Sequence, residues 1–169
     1  MPATIRLQRE PFDAAAEAAQ LTRGRTDIGA VVTFTGICRG DENGRLLAAM
    51  TLEHYPDMAE AEIARHVEAA QRRWRLLGVT VIHRFGRLTP GEDIVLVVAA
   101  SSHRQDAFAA AEFLMDYLKT RAPFWKQVEY APGKTGSEQA EKLWVEAKPS
   151  DDVSADRWTR PPGRREAAE

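Results

Sequence analysis

The stretch MDYLKTRAPFWKQ, residues 115–127, places two lysines on either side of an apolar, aromatic segment. Lys119 lies near the end of a predicted helix, and Lys126 directly follows Phe124 and Trp125. Lysine usually covers apolar surface with its stem while the ammonium group reaches water. If both lysines face one pocket, two charges ~6 Å apart at an effective dielectric of ~20 repel by roughly 3 kcal/mol. Such a pair either contains one neutral lysine, which can act as a base or nucleophile, or clamps an anion between two charged groups.

A second candidate group lies in SSHRQD, residues 101–106, where an apolar strand ends and a helix begins. The first turn of a helix has unpaired N–H groups and a partial positive charge. His103 and Arg104 in that turn each cost ~0.3–1 kcal/mol unless an anion binds there or surface carboxylates pair with them. Arg39, which follows the predicted strand TFTGIC, becomes a candidate only if it converges with these two residues.

Cys38, His54 and His83 give weaker evidence of a functional site than these cationic residues. Cys38 precedes Arg39 without an evident partner base, so an inert buried thiol is favoured over a nucleophile. His54 and His83 fall on predicted strands and have no metal-ligand spacing with His103. We therefore expect no metal site and no resident cofactor.

Composition excludes several classes of protein. The net charge of -2 over 169 residues gives no general attraction to nucleic acid or membrane. An RNA-binding interpretation of RRWR (72–75) and KTR (119–121) lacks both a basic charge and a recognised module. A single cysteine fits a reducing compartment, and we see neither a membrane-length apolar run nor a signal peptide, so we expect a cytoplasmic protein.

Hydrophobic periodicity and turn residues predict an α+β chain. Asn43-Gly44 is typical of a hairpin turn. We predict one domain over residues 1–149 and a C-terminal tail, 150–169, that is disordered in part because it has little to bury, and that is dispensable for stability and activity. The predicted strands are 4–10, 29–37, 46–55, 78–86, 93–102, 124–130 and 142–148, and the predicted helices are 11–23, 56–74 and 103–121.

Two of the helices have predicted caps and core stripes. Asp57 with Glu60, and Ser102 with Gln105, resemble capping boxes. The expected core stripes comprise Ile63, Val67, Ala70 and Trp74 in one helix, and Phe108, Ala111, Leu114 or Met115, and Leu118 in the other.

Several segments together resemble one family, the large catalytic subunit of molybdopterin synthase. They are FTGICR, LEHYPDMAE, VIHRFGRLTPGED, SSHRQDAFAAAEFLMDYLKTRAPFWK and LWVEAK, within residues 28–148. The resemblance implies an α/β-hammerhead fold with an antiparallel sheet and about three helices. It also implies a homodimer that binds two copies of a small ubiquitin-like sulfur carrier, giving a heterotetramer.

The resemblance further implies an activity and a set of site residues. The carrier's C-terminal Gly-Gly thiocarboxylate would donate sulfur to cyclic pyranopterin monophosphate, forming the dithiolene of molybdopterin. Lys119 and Lys126 would be catalytic, and His103 and Arg104 would reach the site across the dimer interface. Cys38 departs from the valine or similar residue usual there. The expected substrate-binding set is Phe34, Ile37, Cys38, Arg39, His103, Arg104, Met115, Lys119, Lys126, Gln127 and Val128. The alternative is a non-catalytic module that binds an acidic or ubiquitin-like tail.

Overall fold

The structure, a computed structural model, describes residues 3–42, 44–132, 142–145 and 156–159. Within these ranges the α-helices are α1 (Ala14–Thr22), α2 (Pro56–Arg73) and α3 (Arg104–Thr120), and a short 3-10 helix spans Arg157–Thr159. The strands are β1 (Ala3–Gln8), β2 (Ala30–Ile37), β3 (Asp41–Glu42), β4 (Arg45–His54), β5 (Leu76–Arg84), β6 (Gly86–Leu88), β7 (Asp93–Ser101), β8 (Phe124–Tyr130) and β9 (Lys142–Val145). None of the helices in these ranges is long and apolar enough to cross a membrane. Most of the segment between the predicted strands 124–130 and 142–148 lies outside the described residues, as do the predicted strand end at 146–148 and the predicted boundary at 149/150.

The strands form two sheets. The first has the order β1-β5-β7-β2, and the second has the order β3-β4-β8-β9 with β6 also paired to β4. The α+β class and the three helices are confirmed for the described part of the chain. Among the described residues, all strand pairs are antiparallel except β1 with β5, which are parallel. Parallel neighbours need a crossover connection, and here the chain between the two strands includes α1 and α2.

The first sheet is covered on both faces, as the apolar run of β7 predicts. Alternate residues of a strand point to opposite faces. Val95 and Val97 belong to the main core cluster with α2 and α3, whereas Leu96 and Val98 pack with residues of α1. This explains why β7 lacks the apolar–polar alternation of a half-exposed strand.

The core face of α3 differs from the prediction at one position. Ala111, Leu114 and Leu118 are buried as expected. Phe108 is 63% exposed, so its assignment to the core stripe is wrong. Small residues lie at the helix–sheet contact instead, with Ala107 and Ala110 fully buried, which allows the helix to approach the sheet closely.

Both predicted capping boxes are wrong, because the N-cap of each helix is a residue other than the predicted one. The N-cap of α2 is Tyr55, so Asp57 lies inside the first turn after Pro56. The N-cap of α3 is His103, without a side-chain cap, and the backbone N–H of His103 donates to the hydroxyl of Ser101 at 3.2 Å. The carboxylate and hydroxyl expected to cap these helices therefore do not do so.

Part of the C-terminal tail packs on the domain. Trp158 lies edge-on to Trp74 and Phe113, with ring centroids 5.6 and 5.5 Å away, and its Nε1 donates to Asp116 at 2.6 Å. The Arg73 guanidinium donates to the Trp158 carbonyl at 2.8 Å. The expectation that the tail has little to bury is therefore wrong for residues 156–159, because these contacts attach them to α2 and α3.

Replacing Trp158 with alanine is expected to lower the free energy of unfolding by about 2 kcal/mol. The substitution removes a half-buried aromatic ring and a hydrogen bond to a carboxylate. Urea denaturation measures the loss. Trp144→Ala is the matched control, because Trp144 is 57% exposed on β9. Equal stability of the two variants would show that the Trp158 contacts contribute nothing.

Candidate functional site

Two cationic residues of the predicted site meet at one buried carboxylate. The Arg39 guanidinium and the Lys126 ammonium group each lie 3.4 Å from Oε2 of Glu42. The Glu42 side chain is 5% exposed, whereas Arg39 is 69% and Lys126 is 30% exposed. The carboxylate therefore lies beneath two positive groups that face solvent, and this surface is suited to binding an anion.

The backbone before Arg39 is fixed by the turn that precedes β7. The Cys38 N–H donates to the carbonyl of Glu92, and the Cys38 carbonyl accepts from the Gly91 N–H, both at 2.8 Å. These bonds extend the pairing of β2 with β7 beyond the end of β2. Arg39 therefore starts from a rigid position at the sheet edge.

The hairpin between β3 and β4 carries Glu42 to the same place. Gly44 has φ of 78°, a left-handed conformation that favours glycine, and its N–H donates to Asp41 at 3.2 Å. The predicted hairpin is confirmed by the pairing of Asp41 with Leu46. Lys126 comes from the adjacent strand, since β8 pairs with β4 and Lys126 lies opposite Leu52.

The Cys38 thiol lies on the interior side of this cluster. It is buried with Met50, Leu52 and Leu88. Burial, and secondarily the charge of Glu92, raises the pKa of the Cys38 thiol, while Lys126 opposes the shift. A buried thiol with a raised pKa is a poor nucleophile at neutral pH, in agreement with the interpretation favoured from the sequence.

The second predicted group lines an open cavity of about 380 Å³ at the N-terminus of α3. Its lining comprises Gly29, Ser102, His103, Arg104 and Gln105. A Cβ atom on Gly29 would lie 2.4 Å from the carbonyl oxygen of Ser102, so the close approach of these two segments requires glycine. His103 and Arg104 are exposed there, beside helix N–H groups that have no intrahelical partner.

Lys119 lies at the other end of the same helix. It is exposed in the last turn of α3, one turn after Met115, which packs against the main core. A helix of 17 residues is about 25 Å long, so His103 and Arg104 are far from Lys119 within one chain. One chain therefore does not bring all the predicted cationic residues together.

The remaining predicted site residues are divided between surface and core. Phe34 and Ile37 are exposed on β2, which is an edge strand of the first sheet. Gln127 is half-buried on β8. Val128 is fully buried with Leu47 and Tyr130, so its side chain fills the core and is not available for substrate contact in this structure.

A histidine that the sequence analysis left unassigned is buried beside β8. His83 stacks on Phe124 with ring centroids 3.9 Å apart, and its Nδ1 lies 2.8 Å from the carbonyl oxygen of Arg84. Burial lowers the pKa of His83 to about 4. Within the described ranges, no three His, Cys, Asp or Glu side chains form a group that could hold a metal. The neutral ring of His83 thus supports the strand that carries Lys126.

The stability of the protein is expected to fall between pH 6.5 and pH 4 because of His83. The unfolded chain binds this proton near pH 6.5, whereas the folded chain binds it only near pH 4. The contribution of His83 is therefore complete above pH 6.5 and is lost as the pH decreases to 4, by about 3 kcal/mol. Urea denaturation at pH 7 and pH 5 measures it. His83→Phe keeps an aromatic ring against Phe124 and should flatten the pH dependence. An unchanged slope in this variant would exclude His83 as its source.

Glu42 is the site residue that sequence reasoning missed. It lies in the polar turn CRGDENGR, where acidic residues are expected to be solvated. Its spacing of three residues from Arg39 was the available signal, but this spacing does not reveal burial. The approach of Lys126 depends on pairing between strands distant in sequence.

Comparison with known proteins identifies the family of the chain. The family model described as MoaE protein matches residues 7–121. The chain belongs to the MoaE family. The matched range contains Arg39, His103, Arg104 and Lys119, and it ends before Lys126.

Individual relatives match this MoaE chain over a longer range than the family model does. A curated relative from Mesorhizobium japonicum, a molybdopterin synthase catalytic subunit, is 60% identical over 155 residues, which cover 92% of each chain. A solved MoaE protein from Burkholderia ambifaria is 44% identical with a TM-score of 0.75 and covers 94% of this chain and 99% of its own. The solved molybdopterin synthase from Staphylococcus aureus is 26% identical with a TM-score of 0.71, covering 83% and 95%. The predicted family is confirmed, and an enzyme is favoured over the alternative of a non-catalytic binding module.

Proposed function

We propose that the chain transfers sulfur from a carrier protein to cyclic pyranopterin monophosphate in the biosynthesis of the molybdenum cofactor. The carrier is a small ubiquitin-like subunit that ends in a Gly-Gly thiocarboxylate, and two transfers produce the dithiolene of molybdopterin. The observation that carries the proposal is the convergence of Arg39 and Lys126 on the buried Glu42 carboxylate, which places two positive groups close together where they face solvent. Both the phosphate of the pterin and the thiocarboxylate of the carrier are anions that such a pair of groups attracts.

The proposed anion site needs two chains. His103 and Arg104 lie a helix length away from Lys119 in one chain, so they serve the site of a second copy in a homodimer. Phe34 and Ile37 expose apolar surface on an edge strand, which is suited to contact with the second copy or with the carrier. Two carriers on this dimer form a heterotetramer. The curated relatives are described as catalytic subunits, which implies another subunit in those proteins.

The two lysines have different proposed roles. Lys126 is held against Glu42 and acts as a fixed charge that attracts the incoming anion. Lys119 is exposed at the end of a rigid helix and is the central catalytic group. It stabilises charge as sulfur attacks, and it acts as a base or accepts the acyl group that is later released.

The remaining features of the proposal concern the environment of the protein. Cys38 is a free, buried thiol, which agrees with a reducing, cytoplasmic compartment. No resident cofactor takes part, because the pterin is the substrate.

The proposed function is tested by incubating the protein with a thiocarboxylated carrier and cyclic pyranopterin monophosphate. Formation of the dithiolene product supports the proposal. The control is the same carrier with an ordinary C-terminal carboxylate, which binds but has no sulfur to donate. Binding of the carrier without consumption of the pterin would instead support a non-catalytic module.

A further inference from the structure

Glu42 has a position that the proposed reaction does not explain. Its side chain is almost completely buried, yet it contacts two cationic groups that face solvent. Arg39 and Lys126 approach the same oxygen, Oε2, rather than one oxygen each. Their nitrogen atoms are therefore at most twice 3.4 Å apart.

In this arrangement the Glu42 carboxylate offsets the repulsion between Arg39 and Lys126. Two positive groups so close together repel one another, and the repulsion turns flexible side chains apart. A carboxylate between and below them offsets this repulsion and gives both groups the same point of attachment. Burial of that carboxylate is unfavourable unless it is paired, so the position of Glu42 and those of its partners depend on one another.

The backbone of a hairpin carries Glu42, whereas its two partners come from other segments. Glu42 belongs to the β3–β4 hairpin, where it pairs in register with Arg45. Lys126 arrives from β8 and Arg39 from the end of β2, so three separate segments meet at this carboxylate. The hairpin is therefore the fixed part, and the two long cationic side chains are the adjustable parts.

We propose that Glu42 is a positioning residue, which holds the Lys126 ammonium and Arg39 guanidinium groups together before the anionic substrate arrives. The inference rests on the proposed function, in which these two groups contact the substrate. Glu42 itself acts through them and does not touch the reacting atoms. Glu42 thus arranges the two cationic groups before the substrate binds, although its negative charge lowers the net positive charge of the site by one unit.

If Glu42 positions the two cationic groups, its substitution should lower the rate of sulfur transfer without lowering the affinity for the pterin. Glu42→Gln keeps the size of the side chain but removes its charge, so the site becomes more positive and anion affinity does not fall. The ammonium group loses its attachment, and sulfur transfer slows by about tenfold to hundredfold. Single-turnover product formation at saturating carrier measures the rate, and its dependence on pterin concentration measures the affinity. Glu42→Asp keeps the charge on a shorter stem and should recover part of the rate.

A matched control removes a carboxylate elsewhere. Glu129 lies on β8 near Lys126 in sequence and pairs with Arg87 at the same distance of 3.4 Å. Glu129→Gln should leave the rate within about twofold of the wild-type rate. In a Lys126→Ala background, Glu42→Gln should have much less effect than in the wild type, because the group through which it mainly acts is absent.

A labelling experiment tests the same inference without the reaction. Brief treatment with acetic anhydride followed by mass spectrometry reports how accessible each lysine amine is. Glu42→Gln should increase acetylation of Lys126 severalfold, while exposed Lys142 on β9 provides an internal reference that does not change. This readout keeps failure of the inference distinct from failure of the proposed function, which would appear as a wild-type protein that forms no product.

Three results would overturn the inference. They are unchanged acetylation of Lys126 in Glu42→Gln, a rate for that variant equal to the wild-type rate, or a full additional loss of rate when it is combined with Lys126→Ala. A weaker affinity for the pterin at an unchanged rate would also contradict it, since Glu42 would then serve binding rather than positioning.

Discussion

Replacement of Lys119 by either arginine or alanine is expected to abolish nearly all sulfur transfer, by roughly 10²–10⁴-fold, while carrier binding persists. Lys119 is exposed at the end of α3, so neither substitution disturbs the core. Arginine stays protonated and can serve neither as a base nor as an acyl acceptor, and its broader guanidinium fits a lysine site badly. Product formation under single-turnover conditions measures the loss, and carrier affinity is measured separately.

The controls for this prediction come from two other lysines. Lys142→Arg and Lys142→Ala, on exposed β9, should be neutral. Lys126→Arg should retain more activity than Lys126→Ala, because a fixed charge is partly replaced by another cation. Near-normal turnover by Lys119→Arg would exclude the base and acyl roles and leave Lys119 as a positive charge alone.

Two inactive variants are expected to restore activity when they are mixed. If each site uses Lys119 of one chain and Arg104 of the other, an Arg104→Ala chain and a Lys119→Ala chain together form one intact site per mixed dimer. Random exchange of an equal mixture should therefore recover roughly a quarter of the wild-type sites from a background of almost none. Activity is measured after the two variants are unfolded together and refolded, with each variant alone as the background.

This result depends on the geometry of a single helix. His103 and Arg104 begin α3 and Lys119 ends it, so they cannot meet within one chain. Mixing Lys119→Ala with Lys126→Ala provides a useful comparison. If both lysines serve the site of their own chain, each site of the mixed dimer lacks one lysine and no activity returns. Recovery in this second mixture but not in the first would show that the division of residues between chains is the reverse of the one proposed.

The sequence predicted those features that depend on local pattern. The alternation and length of apolar runs were sufficient to locate β2, β7 and β8, and Pro123 marked the end of α3. The lysines and the cationic helix start were recognisable because charged residues stood where apolar or acidic ones are usual. The convergence of Arg39 and Lys126 at Glu42 was not predictable, since it depends on pairing between strands far apart in sequence.

The errors have a common physical cause. Phe108 falls on the helical stripe but outside the core, because the close packing of α3 on the sheet favours alanine at the contact. Trp158 falls in a tail that is predicted to have little to bury, but it packs against Trp74, which follows α2, and against Phe113 of α3. In each case the burial of the side chain depends on the surface of another element of the fold. The sequence of the segment alone does not reveal that surface.

The parallel pairing of β1 with β5 affects how the chain folds during synthesis. β5 and β7 are antiparallel, and only the short β6 and a turn separate them, so they can associate soon after both have emerged from the ribosome. β1 is made first, but its partner is made after α2, which leaves the N-terminal strand unpaired for several seconds at ordinary rates of elongation. Contacts so distant in sequence slow folding. The first strand to be synthesised is therefore expected to be among the last to join its sheet.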